Sequence, residues 1–356
     1  MAHNKINVIY NFNLDKGDYM SVDVLKKDIK SKELKNLYLF YGQEEFLKKY
    51  YLESIEKAIV ENDLSSMNKL VLEGKFEMSK IEEACETMPV FSEKKLVIVK
   101  NSGLFKSAKD GSKQQSARDS IINYLKNLPS YTVLVFYEEE IDKRLKTVDV
   151  VKKNGLVVEF PFQKPAELVK WAIKAINTHK KEISFADASY LIELCEQGMT
   201  EILNEVNKLV MFVGERTKIT VQDIEKVCTK SVKSRIFDLT DAVAEKNLDK
   251  ALKLLNDMII LREPLPKILF MLTRQLRHVL EMKLLTLEGM SVKEACTKIG
   301  ITPYAGGKVS SQAKSFSTDQ LKEGIKEAFE LDLAIKTGRI NDRVAAELLI
   351  NKLANG

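Results

Sequence analysis

The chain has 356 residues, of which 45% are hydrophobic and 30% charged, with only 15 glycines and 7 prolines. At about 150 residues per domain, this length allows two or three hydrophobic cores, and the composition excludes disordered and collagen-like proteins. The 56 basic and 51 acidic side chains give a net charge of +5. This charge permits contact with nucleic acid without requiring it, since dedicated nucleic-acid binders carry a larger basic excess.

The scarcity of cysteine and histidine excludes the common catalytic and metal sites. The four cysteines include no C-x-x-C pair, and the three histidines include no H-x-x-x-H pair. Neither zinc nor histidine-based catalysis is therefore expected. No hydrophobic run approaches the roughly 18 residues of a membrane-spanning helix. We expect a cytoplasmic protein with no metal, no cofactor, no membrane contact and no small-molecule substrate.

Residues 1–19 lack the hydrophobic region of a signal peptide. The codons inferred for Lys16 to Met20 contain a purine-rich ribosome-binding sequence ahead of a start codon. A translation start at Met20 and an ordinary N-terminal segment are both open. We expect residues 1–19 to be a non-native or disordered leader.

Short hydrophobic runs alternate with amphipathic segments from Leu37 to Phe162. The runs predict five strands, at Leu37–Tyr41, Asn68–Leu72, Leu96–Lys100, Tyr131–Tyr137 and Gly155–Phe160. The amphipathic segments predict helices at Glu44–Glu61, Lys80–Met88, Arg118–Leu128 and Asp142–Lys153. Strands that are hydrophobic along their whole length are covered on both faces, as in parallel sheets with crossover helices. This region is therefore predicted to be a five-stranded α/β domain.

Within the α/β region, Ser102–Ser120 is rich in polar residues and is predicted to be a mobile surface loop.

The chain after Pro165 is predicted to be helical. Beyond Pro165 the periodicity predicts helices at Ala166–Thr178, Phe185–Gln197, Thr200–Val213, Val221–Thr229, Arg235–Lys246, Leu248–Leu261, Pro264–Leu287, Val292–Ile299, Thr318–Thr337 and Asn341–Ala354. The predicted domains are an α/β domain at 20–162, a small helical domain at 163–230 and a C-terminal helical domain at 231–356. This order is typical of nucleotide-driven switches.

The turn after the first predicted strand lies where a phosphate-binding loop would begin. Such a loop has the pattern G-x-x-x-x-G-K-[ST], in which backbone amides and a lysine bind phosphate and a hydroxyl holds Mg²⁺. Counting from Gly42, Leu47 stands where the second glycine belongs, Lys48 at the lysine and Lys49 at the hydroxyl. We interpret the loop as degenerate and expect Lys48 to be an ordinary solvated helix residue.

A working ATPase also needs an Asp–Glu pair after a neighbouring strand, to hold Mg²⁺ and to orient water. Here Tyr137 stands at the metal-binding position and Glu138 follows it. We expect Glu138–Glu140 to be a solvated strand end. The acidic site is thus predicted to be degenerate as well, and no ATP hydrolysis is expected from this chain.

A hydrophobic corner follows the helix predicted at Lys80–Met88. Pro89 stops that helix, and Val90 and Phe91 lie just beyond the stop, before a charged turn. Large hydrophobic residues at such a corner are either buried or presented to a partner. For Phe91 we favour partner contact, whereas Met88 is balanced between the two because it also continues the hydrophobic stripe of the helix.

Three segments of the chain resemble the delta subunit of the bacterial DNA polymerase III clamp loader. They are LYLFYGQEEFL at 37–47, MPVFSEKKLVIV at 88–99 and IFDL at 236–239. Their order and spacing are more specific than any one of them, and the resemblance extends from about Met20 to the C-terminus. It implies an AAA+-like domain that does not bind ATP, a lid domain and a C-terminal collar domain. It also implies membership of a replication assembly with DNA-directed DNA polymerase activity, a nucleotidyltransferase.

The same resemblance implies the partners. Met88, Val90 and Phe91 match the positions that, in this family, wedge into a hydrophobic pocket of the ring-shaped sliding clamp and help to open the ring. The other implied partners are the ATPase and wrench subunits of the loader and the primed DNA inside the assembly. Four basic residues are candidates for facing that DNA, although a solvated surface is favoured for them: Lys143, Arg144, Lys152 and Lys153.

Two other functions remain open from the sequence. The first is an ATP-binding P-loop or AAA+ ATPase, against which Leu47, Lys49 and Tyr137 argue. The second is a stand-alone DNA-binding protein, which would bind duplex DNA with no clamp present. A measurement of nucleotide binding distinguishes an ATPase from a delta subunit. A measurement of clamp binding distinguishes a stand-alone DNA-binding protein from a delta subunit.

Overall fold

The computed structural model of the chain describes residues 20–59, 65–74, 78–107, 111–195 and 198–355. The predicted leader at residues 1–19 lies outside these ranges. Contacts divide the chain into two compact units, one that extends to Gln163 and includes Gly198–Thr200, and one formed by Lys164–Gln197 and Glu201–Gly356. The further division into a lid at 163–230 and a collar at 231–356 stays a prediction.

A five-stranded parallel sheet lies at the centre of the first unit, with the strand order β2-β3-β4-β1-β5. The strands are β1 Leu37–Tyr41, β2 Lys69–Glu73, β3 Lys95–Lys100, β4 Thr132–Glu138 and β5 Leu156–Glu159. The three central strands are buried along almost their whole length, whereas the edge strand β2 is partly exposed. The predicted α/β fold is therefore confirmed, and each strand begins and ends within one residue of its predicted bounds.

Helices cover both faces of this sheet, as its hydrophobic strands require. They are α1 Met20–Ser31, α2 Glu45–Ile59, α3 Met78–Glu86, α4 Gly111–Tyr124 and α5 Lys146–Asn154. Leu37 and Leu39 point to the face where residues of α3, α4 and α5 form one hydrophobic cluster. Tyr38 and Phe40 alternate to the other face, where the Phe40 ring lies 5.2 Å from the ring of Phe160. The helix α1 was not predicted.

The prediction of a loop throughout Ser102–Ser120 is wrong. Leu104 and Phe105 are buried in the core of the unit, and the second half of the segment belongs to the helix Gly111–Tyr124. The guanidinium of Arg118 is buried and donates to the carbonyl oxygen of Leu104 over 3.2 Å. The polar composition concealed this helix because one buried arginine and two hydrophobic residues are enough to fix the segment to the core.

The described part of the second unit is helical except for a parallel pair of two-residue strands, β6 Glu182–Ile183 and β7 Lys218–Ile219. Its helices are α6 Pro165–Thr178, α7 Phe185–Leu194, α8 Met199–Val213, α9 Val221–Val227, α10 Val232–Ala244, α11 Leu248–Ile260, α12 Leu265–Leu287, α13 Val292–Ile299, α14 Pro303–Ser315, α15 Thr318–Lys336 and α16 Asp342–Asn355. The helices from α10 onward share one hydrophobic core. No helix among the described residues is both long enough and hydrophobic enough to cross a membrane.

Helix α14 was missed by the sequence analysis. It contains Gly306 and Gly307, and its buried residues are mostly small, so its hydrophobic stripe is weak. Gly306 packs tightly, since a Cβ atom at this position would lie 2.0 Å from the sulfur of Cys296. The glycine that argues against a helix in the sequence is thus what allows α14 to approach α13.

Candidate functional site

The two sets of predicted functional residues lie at opposite edges of the parallel sheet. Gly42 follows β1 and Tyr137 lies near the end of β4, so the nucleotide-site positions are at the carboxyl edge. The helix α3 returns the chain to the start of β3, as a parallel crossover must. The connection from α3 to β3, residues 87–94, therefore lies at the amino edge, and we call it the α3–β3 loop.

At the carboxyl edge, the backbone amides that would bind phosphate are bonded to protein carbonyl groups. The N–H of Gly42 donates to the carbonyl of Glu139 over 3.1 Å, and the N–H of Glu44 donates to that of Phe160 over 3.0 Å. A phosphate cradle needs such amides free. Gly42 has a φ of +124°, and a Cβ atom there would lie 2.2 Å from the carbonyl oxygen of Phe160. Close packing of the backbone explains why this position requires glycine.

Lys48 is buried, so the prediction of a solvated residue is wrong. Its ammonium lies 2.5 Å from a carboxylate oxygen of Glu45, donates to the carbonyl of Glu138 over 3.1 Å and sits 4.6 Å from the centre of the Tyr137 ring. The lysine that could bind phosphate is instead bound within the protein. Its two neighbours do not restore the motif, because the side chain of Leu47 lies in the core and the exposed Lys49 has no hydroxyl to hold Mg²⁺.

The acidic half of the nucleotide site is also occupied by internal contacts. The hydroxyl of Tyr137 donates to Glu45 over 2.6 Å, and burial, together with this carboxylate, raises the pKa of Tyr137. Glu138 is fully buried, which corrects the prediction of a solvated strand end at this residue; Glu139 and Glu140 are exposed as predicted. One oxygen of Glu138 accepts two bonds from Ser102, and burial raises the pKa of Glu138.

A cavity of about 270 Å³ remains at this edge. Three carboxylates and two ammonium groups line it, together with an amide and a phenol: Glu45, Glu73, Glu139, Lys48, Lys100, Asn101 and Tyr137. Because Lys48 is paired with Glu45, the lining offers little positive charge to a polyphosphate. Within the described part of the chain, no group of three His, Cys, Asp or Glu residues is arranged to hold a metal ion.

Glu44 is a second buried carboxyl group in the same turn. Both of its oxygens lie 3.2 Å from the backbone nitrogen of Met199, which belongs to the short segment included in the first unit. It also accepts from the N–H of Phe46 over 3.3 Å. Burial nevertheless raises the pKa of Glu44 to about 7. Glu44 therefore contributes an internal hydrogen-bond acceptor to this turn.

At the amino edge, polar bonds fix both ends of the α3–β3 loop. The hydroxyl of Thr87 donates to the carbonyl of Glu83 over 2.7 Å, and Lys95 donates to the carbonyl of Thr87 over 2.7 Å. Near the other end, the ammonium of Lys94 donates to the carbonyl of Leu34 over 3.2 Å. These contacts use backbone and polar atoms, so the hydrophobic side chains of the loop are not needed to hold it in place.

The three predicted contact residues lie together in this loop and are exposed. Phe91 is 89% exposed, Met88 73% and Val90 36%. Met88 does not continue the buried stripe, because α3 ends at Glu86. Exposed hydrophobic residues that are clustered in one loop are typical of a partner-binding surface. The arrangement can thus bind a hydrophobic pocket, and it carries no group for acid–base chemistry.

Phe91 has a φ of +50°. This left-handed conformation is rare for an aromatic residue and costs about 1–3 kcal/mol. The side chain of Asn68 forms hydrogen bonds with both the N–H and the carbonyl group of the neighbouring Val90. Sequence reasoning missed Asn68, which was predicted only as the first residue of a strand; an asparagine at a strand start is too common a signal to reveal a bond 22 positions away.

The candidate DNA-facing residues lie near α5 and mostly have acidic partners. Lys143 lies 2.8 Å from Glu159, Arg144 lies 2.8 Å from Asp142 and Lys152 lies 3.9 Å from Asp149. Lys153 is exposed in the same helix. Surface ion pairs of this kind contribute little to stability and can exchange for other anions, so a DNA-facing role for these four residues stays a prediction.

Comparison with known proteins identifies two matching family models. Residues 38–161 match the model described as DNA polymerase III, delta subunit, and residues 233–353 match the model for the C-terminal domain of the same subunit. Among curated proteins, the chain is 25% identical over 332 residues to the DNA polymerase III subunit delta of Bacillus subtilis, covering 92% of this chain and 95% of that protein. It is 23% identical over 308 residues to the probable subunit delta of Aquifex aeolicus, covering 83% and 85%.

A solved structure agrees with these matches. The DNA clamp loader delta protein of Bacillus subtilis superposes with a TM-score of 0.52 at 25% identity, over 95% of this chain and 100% of that one. The two family models together span most of the chain, and the relatives match over nearly their whole length. The chain belongs to the family of DNA polymerase III delta subunits.

Proposed function

We propose that this chain binds the sliding clamp through Met88, Val90 and Phe91 and helps to open the ring for loading onto primed DNA, without binding or hydrolysing ATP. The observation that carries the proposal is the exposure of three hydrophobic side chains on a loop whose backbone is fixed by polar bonds. A solved relative with the same fold is named as a DNA clamp loader delta protein. The setting proposed is the cytoplasm, in a loader that also contains ATPase and wrench subunits.

Opening the ring follows from a difference in affinity. A subunit that fits the distorted clamp interface better than the closed one shifts the equilibrium towards the open ring by that difference in binding free energy, and by no more. A fixed loop suits this role, because little of the binding free energy is lost in ordering it. The energy of ATP would enter through other subunits, which expose or cover the loop.

The lack of ATP binding rests on three features of the carboxyl edge. The amides of Gly42 and Glu44 are already bonded, Lys48 is paired with Glu45, and Tyr137 replaces the metal ligand. Titration calorimetry with ATP and Mg²⁺ tests this part directly. We expect no measurable heat of binding, whereas saturable binding near stoichiometry would contradict it.

Replacing Phe91 by alanine tests the contact itself. An aromatic side chain that enters a hydrophobic pocket contributes about 2 kcal/mol or more to a complex, so Phe91→Ala should weaken clamp binding at least about tenfold. The free energy of unfolding of this variant should stay within about 0.5 kcal/mol of the wild-type value because the side chain is exposed. Phe185→Ala, which removes an exposed phenylalanine from the second unit, is the matched control and should leave clamp binding unchanged. A large loss of stability in Phe91→Ala would favour a core role instead.

A further inference from the structure

Asn68 joins the edge of the sheet to the loop that carries Phe91. It ends the short 3₁₀ helix Ser65–Asn68 that leads into β2, and its side chain is buried. The carboxamide donates from Nδ2 to the carbonyl oxygen of Val90 over 2.7 Å and accepts the N–H of Val90 at Oδ1 over 2.6 Å. One side chain thus satisfies both backbone groups of one residue, as a neighbouring strand would.

From these two bonds we infer that Asn68 is a positioning residue for clamp binding, an inference that rests on the proposed function. Asn68 is only 3% exposed, so it has almost no surface with which to touch a partner itself. It acts on the peptide groups on either side of Val90, and the second of these is the peptide that leads into Phe91. Fixing that peptide restrains the position of the backbone nitrogen and Cα atom of Phe91, from which its side chain extends in the left-handed conformation at φ +50°.

The physical gain is preorganisation. A loop that relaxes in the free protein must be ordered again when the partner binds, and this lowers affinity although no contact is lost. Only a carboxamide can both donate and accept at this site. An aspartate retains the acceptor but has no donor, and an alanine has neither. Both replacements therefore remove the bond to the carbonyl of Val90.

The test measures clamp affinity for Asn68→Asp and Asn68→Ala in the full chain. We expect both variants to weaken binding by about tenfold or more, because Asn68→Ala removes both bonds and Asn68→Asp places a carboxylate oxygen against the carbonyl oxygen of Val90. Asn36→Ala is the matched control, because the side chain of Asn36 also donates to a backbone carbonyl at the amino edge, that of Pro129, over 3.2 Å. It should change affinity by less than about twofold. Wild-type affinity in Asn68→Ala, with Phe91→Ala weakened, would overturn the inference.

A double-mutant cycle separates positioning from an independent effect. If Asn68 acts through Phe91, Asn68→Ala should weaken clamp binding by less than about twofold in a chain that already carries Phe91→Ala. The reason is that the effects of coupled residues are not additive. A full additional loss in that background would overturn the inference.

Hydrogen exchange of the Val90 amide in the free chain gives a readout that does not depend on the clamp. Asn68→Ala should speed this exchange by about tenfold or more while exchange in β1 and β4 stays unchanged. Unchanged exchange at Val90 would contradict the restraint. If instead Phe91→Ala leaves clamp affinity intact, the proposed function fails, and accelerated exchange at Val90 would still support the restraint on the loop.

Discussion

Lys48 illustrates at the scale of one residue how a motif position can be kept while its chemistry changes. Its pairing with Glu45 and its bond to the carbonyl of Glu138 are structural contacts. Lys48→Met keeps the aliphatic stem but leaves that carbonyl without its donor, so we expect the free energy of unfolding to fall by about 1–3 kcal/mol. Urea denaturation measures this. Lys49→Met, the exposed neighbour, should change it by less than about 0.5 kcal/mol, and equal effects in the two variants would contradict the buried role.

Glu44 gives a prediction about pH. In the unfolded chain its carboxyl ionises near pH 4.5, whereas in the folded protein the proton is held up to about pH 7. The folded state binds more protons between these values, so the contribution of Glu44 to the free energy of unfolding falls as pH rises from 4.5 to 7. Each unit of pKa difference corresponds to about 1.4 kcal/mol.

Glu44→Gln removes this ionisation while keeping an oxygen that can accept from Met199. We therefore expect the variant to gain stability relative to the wild type between pH 5 and pH 8, by on the order of 3 kcal/mol. Denaturant unfolding at the two pH values measures the change. A difference between wild type and variant that is the same at both pH values would contradict a raised pKa.

At the scale of elements, the turn between β1 and α2 depends on Gly42. Alanine there would meet both the strain of a positive φ and a clash with the backbone of Phe160. We expect Gly42→Ala to lower the free energy of unfolding by more than the roughly 1–3 kcal/mol of backbone strain alone. Gly74→Ala is a matched control, since Gly74 has a φ of +86° but nothing lies within 4 Å of its Cβ position. Equal losses in the two variants would show that the close packing at Gly42 is unimportant.

The strands could be predicted from the sequence more accurately than some of the helices. The five strands were predicted within one residue because each contains a continuous hydrophobic run with clear ends, and the three central strands are also buried. The helix Gly111–Tyr124 and the helix Pro303–Ser315 were not predicted as such, because polar side chains or glycines dominate them and tertiary packing fixes them. Glu138 was wrongly predicted to be exposed because its burial also depends on tertiary packing. Nothing local in the sequence reveals the two hydrogen bonds that Ser102 donates to it.

In the candidate site, features with a local sequence signal could be predicted, and features that depend on residues distant in sequence could not. The exposure of Phe91 could be predicted because a hydrophobic residue after a helix stop has a local signature and a family resemblance. The restraint by Asn68 could not, because it connects residues that are distant in sequence and meet only through the pairing of β2 with β3. The burial of Lys48 was mispredicted because lysine is rarely buried without a partner, and the sequence analysis did not recognise Glu45 as that partner.

At the scale of the whole molecule, the chain is a member of the delta-subunit family, and the function proposed for it is binding. The predicted nucleotide-site positions and the α3–β3 loop lie at opposite edges of one sheet in the first unit. Lys48 and Tyr137 at the first edge are bound to other groups of the protein, and hydrophobic side chains are exposed at the second edge. In the proposed function, such a chain would contribute binding free energy to the opening of the clamp, and ATP hydrolysis would be contributed by partner subunits.

The affinity of the isolated chain for the sliding clamp, measured by calorimetry with and without ATP and Mg²⁺, tests the proposed function most directly. We expect a complex in both conditions with the same Kd, and a Kd at least about tenfold weaker for Phe91→Ala. A folded chain that does not bind the clamp, or that binds it only when ATP is present, would contradict an ATP-independent clamp-binding function.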